Sequence, residues 1–393
     1  YVYNIGQFGP SAGPIPNLST GSVIGITDPR FFWTRSSQSD YVYGQNGYRL
    51  YAFTHFTDPN FEGPSTYKSN IALNLQFANG YDVRFEYNKD SVNKALLWKD
   101  LSYSEEGTLA DGRALLDQRD NPYLTNTGEG GGEAFSIIAT KAFDNGVNLY
   151  AGYTNMEMED ASRVASAQAD SAYNKQPHDL AGENLRAAPS DFMVDDKLII
   201  GLDYTTQIFG TNDTRFSVLA NRKSGRRYSL VYETGDSEAS ITDGNWEAYD
   251  LIYVPTGVND PNVVFASDAV ASSVMNFLNS GCAAGFSGQI MTRNACKGDY
   301  ATRVDLRITQ DFQVNDDQKI VIYFDIQNLI NFLDDDKGWQ TEIDTNSVSR
   351  AVSVDLDQTT DSGQLYITGV NEDAGLIYST CLLYTSPSPR DPT

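Results

Sequence analysis

The chain has 393 residues, room for two or three average domains or one large all-β domain. Lys and Arg total 28 against 52 Asp and Glu, a formal net charge of -24, which argues against nucleic acid as a partner because phosphate binding needs clustered cations. Aromatics reach 12% and no apolar run approaches about 18 residues, which excludes a disordered chain and a helical membrane protein but leaves a transmembrane β-barrel, whose alternating strands average to a polar composition.

In chain order, residues 1–20 start mid-pattern, with no charged or apolar leader segment. Ile71, Leu73, Leu75 and Phe77 then alternate with polar residues and lead through Ala78-Asn79-Gly80 to Val83, Phe85 and Tyr87. Asn-Gly between two alternating runs is a strong hairpin signal. A second hairpin is expected from Phe135–Phe143 through Asp144-Asn145-Gly146 to Val147, Leu149, Ala151 and Tyr153. A third runs from Leu198, Ile200, Leu202 and Tyr204 to Phe216, Val218 and Ala220. The clearest period of two lies in Thr302–Phe312, with Val304, Leu306 and Ile308 on one face and Arg303, Asp305 and Arg307 on the other. Its partner carries Ile320, Ile322, Phe324 and Ile326 opposite Tyr323, Asp325 and Gln327. A fifth hairpin is expected from Val352, Val354 and Leu356 to Leu365 and Ile367.

These ten expected strands are joined within hairpins by short turns and between hairpins by long segments, at about 89–131, 159–194, 235–298 and 331–348. Long polar segments all on one side are unusual in a compact soluble domain but are the rule in outer-membrane barrels. The expected fold is therefore all-β: an antiparallel transmembrane β-barrel, partial, with the long segments as solvated acidic loops. A short helix is expected at Ala161–Asp170, and no second packed domain.

Several patterns bear on chemistry. Gly128-Glu129-Gly130-Gly131-Gly132 precedes a strand and lacks a following Lys-Ser/Thr, so it reads as a loop rather than a phosphate cradle. Arg222, Lys223, Arg226 and Arg227 are the one strongly basic cluster; they either bind an anionic headgroup or ligand, or pair with acids. Asp334-Asp335-Asp336, near Asp344, lacks the spacing of a calcium loop and reads as an acidic run. Cys282 and Cys296, fourteen positions apart, form a disulfide in an oxidising compartment or stay as two thiols; His55 and His178 do not stand at zinc-ligand spacing from them. No catalytic motif and no cofactor motif occurs, so an enzyme is not expected; a secreted glycan-active β-sandwich is the one enzymatic alternative, and a soluble chain would favour it. If Val304, Leu306 and Ile308 face lipid, then Arg303, Asp305, Arg307 and Asp325 face a lumen and are the candidate ligand contacts.

Residues 381–393, from Cys381-Leu382-Leu383-Tyr384 onward, resemble the translation of a sequencing adapter and are set apart from a barrel segment at 1–380. Within the latter, Asn121–Gly130, Phe143-Asp144-Asn145-Gly146, Phe209-Gly210 with Arg222–Ser229, Leu251–Gly257 with Asp260–Val263, and Arg303–Ile308 with Phe324–Leu329 together resemble the barrel of Oar-like TonB-dependent outer-membrane receptors. The resemblance covers most of residues 45–370, with Arg227 where the family commonly has Pro. It implies the outer membrane of a Gram-negative bacterium, outer-membrane lipid and TonB as partners, and energised uptake of an extracellular ligand. It implies also a carboxypeptidase-regulatory-like domain, a plug that contacts TonB and further strands, none of which this sequence displays. Ten strands with two open edges are not expected to insert alone. A passive porin-like or adhesive barrel without TonB coupling is the alternative, and a plug encoded upstream would discriminate.

Overall fold

The structure, a computed structural model, describes residues 56–100, 104–117, 122–163, 169–178, 186–234, 241, 249–343, 347–371 and 376–380. The readings made on residues 1–20, Asn121, Asp344 and 381–393 fall outside these. The main elements in chain order are strands β1 (Ser65–Gln76), β2 (Tyr81–Asp100), β3 (Gly130–Ala142), β4 (Val147–Asp160), β5 (Asp196–Phe209), β6 (Asn212–Lys223), β7 (Arg227–Glu233) and β8 (Val263–Phe265), then helix α1 (Asp268–Leu278) and strands β9 (Cys296–Lys297), β10 (Ala301–Asn315), β11 (Gln318–Ile326), β12 (Val348–Asp355) and β13 (Leu365–Val370).

Eight of these strands form one antiparallel meander in the order β1-β2-β3-β4-β5-β6-β10-β11. Its four hairpins are the first four expected from the sequence. Gly146 shows why one turn needs its residue: its φ is +85°, and a Cβ there would stand 2.6 Å from the Thr205 carbonyl oxygen of the neighbouring strand β5. Strands β1 and β11 are the outermost of the meander and are exposed almost throughout, as unpaired edges would be. Beyond the meander, Pro122–Thr127 pairs with the far end of β2.

The register decides what the sheet presents. Leu75, Val83, Ala139, Ala151, Ile200, Ala220 and Val304 form one unbroken cross-strand row. Two residues along, Leu149, Leu202, Val218, Leu306 and Ile326 form the next. Because side chains alternate, a single slip would scatter these rows across both faces. Large apolar side chains on this face stay open: Ile71 is 73% exposed and Phe324 59%. The other face carries charged and amide residues, with Ile138, Ile199 and Leu219 interspersed.

Three departures from the expected elements follow from packing. The fifth hairpin does not join the meander. Strands β12 and β13 belong to a separate mixed sheet in the order β8-β13-β12-β7-β9, with β7 parallel to β12 and β8 parallel to β13. The neighbours Ala351 and Val352 are 0% and 1% exposed, so both faces of this hairpin are covered and period two says nothing about which side is wet. Secondly, Gly130, Gly131 and Gly132 open β3 rather than forming a loop. Thirdly, a helix lies at Ala169–Asn174, C-terminal to most of the stretch expected, of which 164–168 are not described.

The long segments at one end of the meander build a packed module. Its core gathers Leu109, Leu230, Tyr232, Ile252, Val254, Val274, Leu278, Met291, Val352 and Ile367, contributed from four separate stretches of chain. Helix α1 starts at Ser267, whose hydroxyl accepts the Val270 N–H at 3.2 Å, and buries Ala271, Val274, Met275 and Leu278. These segments are therefore not simply solvated loops.

Candidate functional site

The polar face of the meander is built of cross-strand pairs. Arg307 on β10 and Asp325 on β11 stand opposite one another and form a bidentate pair at 2.6 and 2.7 Å. Arg303 donates to Asp305 at 2.8 Å, and Asp305 also accepts the Asn328 N–H at 2.8 Å. All four candidate ligand contacts thus share one face and already satisfy one another. Ser136 and Thr154 bond across β3 and β4 at 2.9 Å, and Ser217 bonds Asp203 across β6 and β5.

Aromatic residues bound the apolar face at both ends. Near the short turns, Tyr81 and Phe143 meet edge to face, with the Lys141 ammonium 4.2 Å from the Tyr81 ring and 4.7 Å from the Phe143 ring. Phe209 and Phe312 pack nearby at 6.2 Å. Near the long segments, Tyr87 donates to Glu133 at 2.6 Å, while Tyr153 and Tyr300 both donate to Asp196, at 2.6 and 2.9 Å. Between Phe135 on β3 and Phe143, the residue after that strand, the chain advances about 27 Å at ~3.4 Å per residue, or about 21 Å along the normal at a tilt of ~40°. That is of the order of the roughly 25 Å apolar band of outer-membrane barrels.

No family model and no curated protein matches the chain. Among solved structures, the chain is similar to BauA, the ferric preacinetobactin receptor from Acinetobacter baumannii, with 11% identity and a TM-score of 0.34, over 80% of this chain and 28% of that one. It is similar also to the outer membrane transporter YddB from Escherichia coli, with 11% identity and a TM-score of 0.42, over 84% of this chain and 34% of that one. The chain spans about a third of the length of these structures.

The basic cluster divides three ways. Arg222 lies in register with Leu198, on the apolar face, and its guanidinium sits 4.8 Å from the Tyr300 ring. Arg227 forms a bidentate pair with Asp195 at 2.9 and 2.7 Å, which Lys297 joins at 3.2 Å. Lys223 and Arg226 instead line a cavity of about 350 Å³ together with Asp191, Phe192, Met193 and Ser224. The segment that carries Phe192 gave no signal in the sequence, because the short apolar run Phe192-Met193-Val194 has no alternation to betray which of its residues is exposed.

That segment is held tightly. Asn294 donates to Asp191 at 2.6 Å and to the Pro189 carbonyl at 2.7 Å, while its own N–H bonds the Ser229 hydroxyl at 2.9 Å. Arg163 pairs with Asp191 at 2.7 Å. The disulfide Cys282–Cys296 forms, with Cα atoms 5.1 Å apart, and ties β9 to the short helical turn at Gly281–Phe286.

Two buried groups hold the module. Arg113 is fully buried, bonded to Asp111 at 2.9 and 2.5 Å and to the Leu251 carbonyl at 2.8 Å, and lies over the Tyr232 ring. Burial pushes the Tyr232 hydroxyl up to about 12, partly offset by the Arg113 charge. Burial also pushes the Asp260 carboxyl up, but bonds from the Thr256 and Asn262 N–H groups and from the Thr256 and Tyr253 hydroxyls outweigh it and hold it below the usual carboxylate range. Asp334 pairs with Lys337 at 2.6 Å in an exposed turn, so the acidic run is a solvated one.

Proposed function

We propose that this chain is part of an outer-membrane receptor barrel of the TonB-dependent kind, serving energised uptake of an extracellular ligand in a Gram-negative bacterium. The observation that carries the reading is the apolar face of the meander: in register across eight strands, open, and bounded at both ends by aromatic side chains. Water at such a face is unfavourable by about 25 cal/mol per Å², and a large open apolar area marks a membrane or protein contact. Hydrocarbon fits because the band has about the right height and because tyrosines hydrogen-bonded to acids sit at its rim, where apolar rings meet wet headgroups. In lipid the open edges β1 and β11 must be paired by further strands, since each unsatisfied backbone group costs several kcal/mol there. The paired charges then line a lumen, and the disulfide-bearing module stands on the outer side, where thiols oxidise.

The resemblance in sequence to Oar-like receptors supports TonB coupling, and lipid, TonB through a plug, and a ligand as partners. The test is ligand-dependent uptake by cells expressing the intact receptor. Collapse of the proton gradient, or deletion of TonB, is expected to abolish uptake while leaving surface binding. Uptake or adhesion indifferent to both would replace this reading with a passive porin-like or adhesive barrel.

A further inference from the structure

The cavity beside the basic cluster belongs to no part of the membrane-facing or core machinery. Its position is set by strands: Lys223 stands in register with Lys197 and Ala301, so it points to the same face as Arg303, away from the apolar band. Ser224 and Gly225 fix the adjoining backbone. The Ser224 N–H donates to the Asp196 carbonyl at 2.9 Å, and Gly225 packs so closely on Gly298 that a Cβ would stand 2.3 Å from its carbonyl carbon. Arg226 is thereby held at the rim, exposed, and neither it nor Lys223 has an ion-pair partner among the described residues.

Phe192 lines the same cavity. It is 74% exposed, yet its neighbours Asp191 and Met193 are 8% and 3% exposed. Met193 is anchored by its N–H to the Ser190 carbonyl at 3.1 Å and by its sulfur, which accepts the Met158 N–H at 2.9 Å. A ring held out in water by a backbone fixed on both sides is unfavourable unless something covers it. The one acid in the wall, Asp191, is paired with Arg163 and hydrogen-bonded by Asn294, so two cations without an ion pair among the described residues set the local charge in a chain whose overall charge is -24.

We propose that this cavity binds a soluble organic anion, a phosphate or carboxylate group on an aromatic or apolar body, with Lys223 and Arg226 taking the anion and Phe192 the body. Both cations line the one cavity, and Arg supplies a planar fork for two anion oxygens. Opening on the polar face selects a solute over a lipid headgroup. The proposal deepens the receptor reading, on which it rests for the cavity's place at the lumen mouth, and names the class of ligand.

The test is calorimetric titration of the intact receptor in neutral detergent with phenyl phosphate, inorganic phosphate and benzylamine. Phenyl phosphate is expected to bind one to one, at least tenfold tighter than inorganic phosphate, and benzylamine not to bind. Lys223→Gln with Arg226→Gln weakens phenyl phosphate at least tenfold, Phe192→Ala brings it to the level of inorganic phosphate, and Arg222→Gln leaves it unchanged. No binding of phenyl phosphate, or binding unaltered by the double substitution, overturns the proposal. So does displacement of phenyl phosphate by phosphatidylglycerol in mixed micelles, which makes the cavity a lipid-headgroup site. Binding in detergent is read without reference to whether the apolar face meets lipid, so loss of this proposal leaves the receptor reading standing, and loss of the receptor reading shows in the spin-label and uptake experiments instead.

Discussion

A guanidinium with no exposed surface exists only because each of its charges and N–H groups is met. Arg113 is such a group, and Asp111, 3% exposed at its side chain, is its counter-charge. Removing one partner of a buried pair leaves the other uncompensated. Asp111→Asn is therefore expected to destabilise the module by about 3–5 kcal/mol, read as a fall in the denaturant midpoint followed by tryptophan or tyrosine fluorescence. Tyr232 supplies a pH test. Its pKa is raised from 10.0 to about 12 in the fold, so between these values the folded state holds a proton that the unfolded state releases. Stability is full below about pH 10 and is lost as pH rises towards 12. Tyr232→Phe is expected to flatten that window, as measured by denaturation at pH 9 and pH 11. Neither group was visible in the sequence: Arg113 reads there as an ordinary surface residue between Gly112 and Ala114, because its partner Leu251 is 138 positions away.

Elements divide by how they earn their stability. In the meander the strands are fixed mainly by register; in the module α1 buries one face, through Ala271, Val274, Met275 and Leu278, and β12 is covered on both of its faces. That difference explains what was legible. The hairpins at Asn79-Gly80 and Asn145-Gly146 were readable because turn chemistry and period two agree locally. The hairpin of β12 and β13 was readable as a hairpin, but its sheet was not, since its partners β7 and β8 pair in parallel from more than 80 positions away. The four ligand candidates Arg303, Asp305, Arg307 and Asp325 were legible as one face, and the division of the basic cluster was not, because it depends on Asp195 and Tyr300 from other strands. The disulfide closes a separation of 14 residues, so Cys282→Ser with Cys296→Ser is expected to lower the module's stability by about 3 kcal/mol. Protease resistance of residues 249–298 with and without reductant checks this.

At the scale of the whole molecule, the proposed receptor gives the two parts of the chain different solvents: hydrocarbon for the open apolar side of the sheet, and water for the disulfide-bonded module of mixed sheet and helix. A charge at the centre of the apolar side is expected to be costly. Ile200→Arg should lower stability in bilayers by about 2–4 kcal/mol, whereas Asn148→Arg, exposed on the opposite face, should change it by less than about 0.5 kcal/mol, measured by urea unfolding in lipid vesicles. The most direct measurement of the central claim is nitroxide accessibility of the intact receptor in bilayers, with single spin labels walked along β5 and β10 through Ile200, Gly201, Leu202, Asp203, Leu306 and Arg307. Labels at 200, 202 and 306 should collide with oxygen and exclude a water-soluble nickel chelate, with the opposite result at 201, 203 and 307. Labels at 200, 202 and 306 that meet the chelate freely, or that neither quencher reaches, would contradict the account.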